Sequence, residues 1–222
     1  MIYQYNIINE SLLIRKKDIY YNKAKFDSGD VNICFITGHS GSGKSTMGRN
    51  LADKSNVHIE LDHVVANYEF NDNELKDYGD LIYSFFKGPG KRFRYKSKKE
   101  WDEDPTWDNR DFHNTYEALV IKAFVKYSIS YAKSHKDLRF IIEGIWLYLF
   151  FDPSYFDNYA FFIKGTSMLT SKFRGSKRDA KHNKNNKMNT FLKSMVIENW
   201  DYYFRDEKKI NKFYQYFLNK DN

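Results

Sequence analysis

The sequence contains the run Gly38-His39-Ser40-Gly41-Ser42-Gly43-Lys44-Ser45-Thr46, whose first eight residues fit the pattern G-x-x-x-x-G-K-[ST] at every fixed position. An apolar run at residues 31–37 precedes it and a helix-compatible stretch at residues 44–54 follows it, which is the strand–loop–helix context that the pattern requires. Glycines in such a loop let backbone N–H groups surround a phosphate, and the positive end of the following helix faces the same anion. We therefore expect residues 38–46 to bind the phosphates of a nucleoside triphosphate.

Individual positions of this run have different expected roles. The Lys44 ammonium should reach the β- and γ-phosphates, and the Ser45 hydroxyl should contact Mg²⁺. The pattern does not require the residue types of His39 and Thr46, so His39 is interpreted as a spacer whose backbone binds the phosphate. The other histidines lack the paired spacing of zinc ligands, and we assign none of them a metal or catalytic role. They are His58, His63, His113, His135 and His182.

Apolar runs rich in Val, Ile and Phe indicate the fold class. They lie at residues 31–37, 57–61, 139–143 and 159–163, and each is short enough for a buried strand. Helical stretches separate them at residues 44–54 and 115–133. This alternation predicts an α/β fold, a three-layer sandwich with a mostly parallel central sheet.

The chain of 222 residues is interpreted as one domain with three additions. Residues 1–30 form an N-terminal extension, expected to be a small hairpin or an added edge strand. Residues 69–111 interrupt the strand–helix alternation and are interpreted as an insertion that carries specificity, the alternative being a plain surface loop. Residues 171–189 are dense in Lys, Arg and Asn and are interpreted as a lid, before an aromatic-rich helical tail at residues 191–218.

Composition restricts the partners and the compartment. The net charge of +7 and the pI near 9.1 suit a partner that carries phosphate, although codon bias of an AT-rich genome explains the same excess of Lys and Asn. The longest apolar run, residues 140–151, is interrupted by Glu143 and is shorter than the roughly 18 residues that span a bilayer. The single Cys34 lies in an apolar run and is expected to be a packed core thiol in a reducing compartment. We expect a cytoplasmic protein without a membrane partner.

Four features follow one another along the chain. They are the loop GHSGSGKST, Asp62 after the second apolar run, the run Phe140-Ile141-Ile142-Glu143-Gly144, and the basic run Arg174-Gly175-Ser176-Lys177-Arg178-Asp179. Together they resemble the P-loop small-molecule kinases, the group that contains adenylate kinase, shikimate kinase and the nucleoside kinases. Three details depart from that group: Gly175 and Ser176 weaken a lid helix, the carboxylate at 143 is Glu rather than the commoner Asp, and no fifth core strand is evident after the lid.

The resemblance implies the P-loop NTPase fold, ATP or another nucleoside triphosphate as donor, and Mg²⁺. By resemblance, Asp62 orients or deprotonates the acceptor, and Glu143 holds the metal together with Ser45. Strand ends of a parallel sheet meet at one edge, so these side chains should face the same cleft as Lys44. Arg174 and Arg178 lie four positions apart, share one face of a helix, and would neutralise the charge of the transferred phosphoryl group.

The expected function is therefore an ATP/Mg²⁺-dependent kinase of a small molecule, with nucleosides and nucleotides among the candidate acceptors. The insertion offers Trp101, Trp107, Arg92 and Arg94 as acceptor contacts, or as packing residues. One alternative is a polynucleotide or zeta-toxin-like kinase, whose acceptor is a nucleic-acid end or a tethered metabolite. Another is a P-loop ATPase or switch that binds a protein partner. A GTPase is disfavoured because Asn183-Lys184-Asn185-Asn186 lacks the Asp of N-K-x-D, and no L-S-G-G-Q-like run is present.

Overall fold

Strands and helices alternate along the chain. The structure, a computed structural model, describes residues 16–52, 56–67, 71–77, 79–94, 99, 115–167, 170–171, 173–174, 177 and 200–220, with the side chains of the last range described from residue 206. The strands are β1 (Ile19–Tyr21), β2 (Ile33–Thr37), β3 (Asn56–Glu60), β4 (Arg139–Glu143) and β5 (Ala160–Ile163). The helices used below are α1 (Lys23–Ser28), α2 (Lys44–Leu51), α3 (Leu61–Val65), α4 (Asp72–Asp77), α5 (Asp80–Lys87), α6 (Tyr116–Ser134), α7 (Trp146–Phe150) and α8 (Trp200–Leu218).

The five strands form one mixed sheet in the order β1-β5-β2-β4-β3. β2 pairs in parallel with β4 and β5, and β4 pairs in parallel with β3. β1 pairs antiparallel with β5, so the N-terminal extension supplies an edge strand, one of the two forms expected of it. From β2 the chain runs first to β3 on one side and later to β5 on the other, which makes the carboxyl end of β2 the topological switch point where open α/β sheets bind ligands.

Helices cover both faces of this sheet because successive strand residues point to opposite sides. Cys34 and Ile36 face α1 and α2, where they pack with Phe26 and Met47. On the opposite face Phe161 stacks on Phe217 of α8, with the ring centroids 4.7 Å apart. The predicted α/β sandwich with a mostly parallel sheet is confirmed, and Cys34 is the buried core thiol expected.

Two differences from the predicted element boundaries bear on the site. β3 ends at Glu60, so Asp62 does not close a strand but lies in the first turn of α3. The reason is burial: Leu61, Val64 and Val65 point together into the core only in a helix. α2 ends at Leu51 rather than at residue 54, because Ala52 is already extended.

Two long helices complete the layers. α6 begins after Thr115, whose side chain accepts a hydrogen bond from the N–H of Ala118 and caps the helix. α8 covers the second part of the predicted tail, and residues 191–199 lie outside the described ranges. Among the described helices, none combines the length and the apolar character needed to cross a bilayer.

Candidate functional site

The glycine-rich loop (residues 38–45) joins β2 to α2 at the carboxyl edge of the sheet. The Thr37 hydroxyl donates to the carbonyl of Gly144 at 2.9 Å, and the N–H of Lys164 donates to the carbonyl of Thr37 at 2.8 Å. Gly38 has φ +150°, and a Cβ there would lie 2.7 Å from the Lys164 carbonyl oxygen. The loop is thus tied to the ends of β4 and β5, and glycine is required where it passes residue 164.

Lys44 and Ser45 are the first two residues of α2. Lys44 Nζ donates to the carbonyl of His39 at 3.1 Å, which holds the ammonium beside the loop backbone. The Ser45 hydroxyl hydrogen-bonds Glu143 at the end of β4. Gly43, at φ +99°, precedes the helix in the left-handed region that favours glycine. These two side chains therefore lie at the N-terminal end of an eight-residue helix.

His39 connects the glycine-rich loop to α8. Its ring is buried, with 3% of the side chain exposed, and its Nε2 lies 2.6 Å from Oε2 of Glu207. Lys16 pairs with the other oxygen of Glu207 and also donates to Asn211. Burial raises the pKa of Glu207, but the hydrogen bond and charge of His39 and the ammonium of Lys16 outweigh it and hold this pKa at about 2. His39 therefore has a side-chain role, anchoring the loop, in addition to its backbone.

A carboxylate cleft of about 340 Å³ opens on one side of the loop. Its lining is Ser40, Gly41, Gly43, Lys44, Ser45, Thr46, Arg49, Glu60, Asp62, Glu143, Gly144 and Ile145. Asp62 accepts a hydrogen bond of 3.0 Å from the indole N–H of Trp146. Four residues singled out from the sequence, Lys44, Ser45, Asp62 and Glu143, thus meet at one cleft.

Two residues of β3, Glu60 in the lining of the carboxylate cleft and His58 beside it, lie near Glu143, and sequence reasoning missed both. Glu60 lies directly opposite Glu143 in the parallel register of β3 and β4, and Arg49 Nη1 lies 3.6 Å from Glu60 Oε1. His58 Nε2 lies 3.8 Å from Glu143 Oε1. The alternation of His58 and Glu60 along a strand is visible in the sequence, but their approach to Glu143 depends on strand order.

A basic cleft of about 480 Å³ opens on the other side of the loop. Its lining is Tyr20, Lys23, Ser42, Gly43, Thr46, Met47, Asn50, Leu51, Lys164 and Arg174. Lys164 follows β5 and pairs with Asp18 at 2.6 Å, while 39% of Tyr20 is exposed. Ser42, Gly43, Thr46 and Arg174 were expected at the site from the sequence. Lys164 was missed, although its position directly after an apolar strand is a signal for it.

The predicted lid and insertion are described in part. Arg174 lies at the basic cleft, whereas Arg178 lies outside the described residues. Trp101 and Trp107 also lie outside them. Arg92 lies over the ring of Phe93, 4.6 Å from its centroid, and Arg94 donates to the carbonyl of Asn67. Arg92 therefore packs within the insertion, and Arg94 ties the insertion to the chain just before it.

The burial of Glu143, which is 3% exposed, should make the stability of the protein depend on pH. Burial raises the pKa of Glu143 to about 7, against the opposing effects of the Ser45 hydroxyl and Lys44. The folded-state pKa lies above the unfolded one, so stability is lost as pH rises from about 4.5 to 7, by up to about 3 kcal/mol. We expect Glu143→Gln to raise the free energy of unfolding at pH 8 but not at pH 4.5, measured by urea unfolding in EDTA. An equal effect at both pH values would contradict this.

The glycine-rich loop, flanked by a carboxylate cleft and a basic cleft at the switch point of the sheet, is the candidate site of this chain. Comparisons of this chain with known protein families, with curated proteins and with solved structures find no match.

Proposed function

We propose that this chain is an ATP- and Mg²⁺-dependent phosphotransferase that acts on a small molecule. The observation that supports this most strongly is the meeting of Lys44 and Ser45, at the start of α2, with Asp62 and Glu143 in one cleft. Phosphoryl transfer needs positioning and charge stabilisation more than covalent chemistry, and these four side chains suit both tasks.

In this proposal the triphosphate lies on the glycine-rich loop. Backbone N–H groups of the loop and the N-terminal end of α2 would bind its oxygens, and Lys44 would leave the His39 carbonyl to reach the β- and γ-phosphates. His39, Ser40, Gly41 and Ser42 would contribute through the loop backbone, and Thr46 through the first turn of α2. The anchor from His39 to Glu207 keeps this part of the loop in place before the nucleotide arrives.

The residues present fit Mg²⁺. Oε2 of Glu143 is buried and has no hydrogen-bond partner within the described ranges, and the Ser45 hydroxyl is adjacent. A carboxylate and a hydroxyl are oxygen ligands of the kind that Mg²⁺ prefers. Ser45 and Glu143 would hold the ion, which would neutralise charge on the transferring phosphoryl group.

The two clefts have different chemistry, which suggests how donor and acceptor divide between them. Gly43 and Thr46 line both clefts, so a triphosphate on the loop has access to either side. The exposed ring of Tyr20 and the cations Lys164 and Arg174 suit the donor nucleoside and its phosphates. Asp62 on the opposite side suits an acceptor hydroxyl. Closure of the segment that carries Arg174 would exclude water before transfer.

The test of the proposal is ATP consumption by the purified protein with Mg²⁺, alone and with pooled acceptors. The pools are nucleosides, nucleotides, sugars, amino sugars and short oligonucleotides. Turnover stimulated by one pool establishes a kinase and identifies its acceptor class, and stimulation by oligonucleotides alone identifies a polynucleotide kinase. Slow turnover that no pool changes would overturn the phosphotransferase proposal in favour of an ATPase or switch.

We expect Asp62→Asn to reduce acceptor phosphorylation by about 10²- to 10⁴-fold, with a much smaller effect on ATP binding. The amide keeps the size of the side chain but neither takes up a proton nor orients a hydroxyl as strongly. Initial rates and nucleotide titration separate the two effects.

Trp146→Phe is the matched control, because it removes the indole N–H that donates to Asp62 but keeps the carboxylate. If the two variants lose activity equally, Asp62 acts through its bond to Trp146 and its assigned role is wrong.

A further inference from the structure

A small cluster of metal-ligand side chains lies beneath α2. His58, Glu60 and Glu143 each present a ligand atom, and these three atoms lie within 4.8 Å of one another. His58 and Glu60 are alternate residues of β3 and therefore share the sheet face that α2 covers. Glu143 joins them from the neighbouring strand β4 through the Glu60–Glu143 register pair.

Two atoms of this cluster are buried without a partner. Nε2 of His58 and Oε2 of Glu143 make no hydrogen bond to the part of the chain that the structure describes. The Glu143 side chain is 3% exposed and that of His58 is 13% exposed. An unpaired polar atom in such a place is costly, so Nε2 of His58 calls for a ligand of its own, besides the Mg²⁺ that would bind Oε2 of Glu143.

A hydrogen bond between the two side chains does not satisfy them. Nε2 of His58 and Oε1 of Glu143 lie 3.8 Å apart, which is beyond hydrogen-bonding distance. Two ligands bound at 2.0–2.2 Å to one tetrahedral ion lie about 3.5 Å apart, which is close to the observed separation. The Glu60 side chain is 28% exposed and has room to adjust.

A glycine in the overlying helix α2 leaves space for the His58 ring of this cluster. Gly48 of α2 lies against His58, and a Cβ at position 48 would lie 2.3 Å from Nε2. Two positive groups of α2 face the cluster: Arg49, whose side chain is 63% exposed, lies 3.6 Å from Glu60, and Lys44 acts electrostatically on Glu143. Oε2 of Glu143 still has no hydrogen-bond partner among the described residues.

We propose that His58, Glu60 and Glu143 form a resident site for one divalent cation of the zinc class, bound in the absence of nucleotide. One imidazole and two carboxylates are a mixed nitrogen and oxygen set, which favours Zn²⁺ over Mg²⁺ or Ca²⁺. Three protein ligands leave the fourth position of the ion open to water. Glu143 has two carboxylate oxygens, so it is able to bridge this ion and the Mg²⁺ of the proposed reaction.

The test is equilibrium dialysis of chelator-treated, nucleotide-free protein against Zn²⁺, with Co²⁺ absorption as an optical check of coordination. We expect one equivalent of zinc per chain, and a loss of affinity of at least roughly 10-fold in His58→Asn and in Glu60→Gln. Glu60→Gln is the second variant because its partly exposed position makes it the safer one for folding, and circular dichroism verifies that both are folded.

His135→Asn is the matched control, because it removes a histidine whose ring stacks on Tyr131 outside the cluster. Lys44→Ala should retain zinc while losing nucleotide, so the failure of this inference and the failure of the proposed kinase activity are distinguishable. Absence of stoichiometric zinc, or equal binding by wild type and both cluster variants, overturns the site.

Discussion

Replacing Lys44 with alanine is expected to reduce ATP turnover by about 10³-fold while the fold survives. In the proposed reaction the Lys44 ammonium stabilises the charge of the phosphates in the transition state. Losing one such donor lowers the turnover rate by about 10²- to 10³-fold or more. In the unliganded protein its described bond is to the His39 carbonyl, which is worth about 1 kcal/mol. Initial rates with a coupled assay and thermal unfolding measure both effects.

The matched control for this variant is Lys126→Ala, which removes the same charge from an exposed position of α6. It should leave turnover and nucleotide affinity unchanged. If Lys44→Ala turns over ATP at a rate close to that of Lys126→Ala, the glycine-rich loop is not the site of phosphoryl transfer.

Glu207→Ala is expected to be the most destabilising of the substitutions considered, by about 3–5 kcal/mol. Glu207 accepts from the buried ring of His39 and pairs with Lys16, and 7% of its side chain is exposed. Removing it leaves Lys16 without its counter-charge and the buried His39 ring without its hydrogen-bond partner. Urea unfolding at pH 7 measures the loss.

The stabilisation by Glu207 is also expected to depend on pH. The pKa of Glu207 is held at about 2 in the folded protein, below its unfolded value, so the stabilisation is complete above about pH 4.5 and is lost as pH falls toward 2. Wild type and Glu207→Ala should therefore converge in stability over that range.

Asp27→Ala is the matched control for Glu207→Ala, because Asp27 pairs with Lys23 on the surface, where both side chains are about half exposed. Such pairs contribute at most about 1 kcal/mol. If the two substitutions cost the same, the buried pair does not anchor the glycine-rich loop.

The central part of this fold can be predicted from local sequence patterns. Four apolar runs predict the four parallel strands, and the pattern from Gly38 to Ser45 places a loop between β2 and α2, as observed. Strand-end reasoning also predicts that Asp62 and Glu143 face the same cleft as Lys44. The position of Asp62 in α3 was missed because a short apolar run does not reveal where a strand becomes a helix.

The contacts that support the site are not local, and no spacing in the sequence reveals them. His39 and Glu207 are 168 positions apart, and their pairing follows from the packing of α8 beside the sheet. His58 and Glu60 meet Glu143 because β3 lies next to β4, although a long segment separates these strands along the chain. Strand order and helix packing are set by the whole core, so they lie beyond what a local pattern encodes.

The anchoring of His39 also has a consequence for the order in which the protein assembles. Lys16, which pairs with Glu207 and Asn211, leaves the ribosome long before either of them, and Ile19 must wait for Ile163 before β1 joins the sheet. Chains with such distant pairings fold slowly because the intervening loop must close first. On a translating ribosome the glycine-rich loop therefore lacks its native support until residues 207–211 have emerged, and its buried histidine is among the last groups to find a partner.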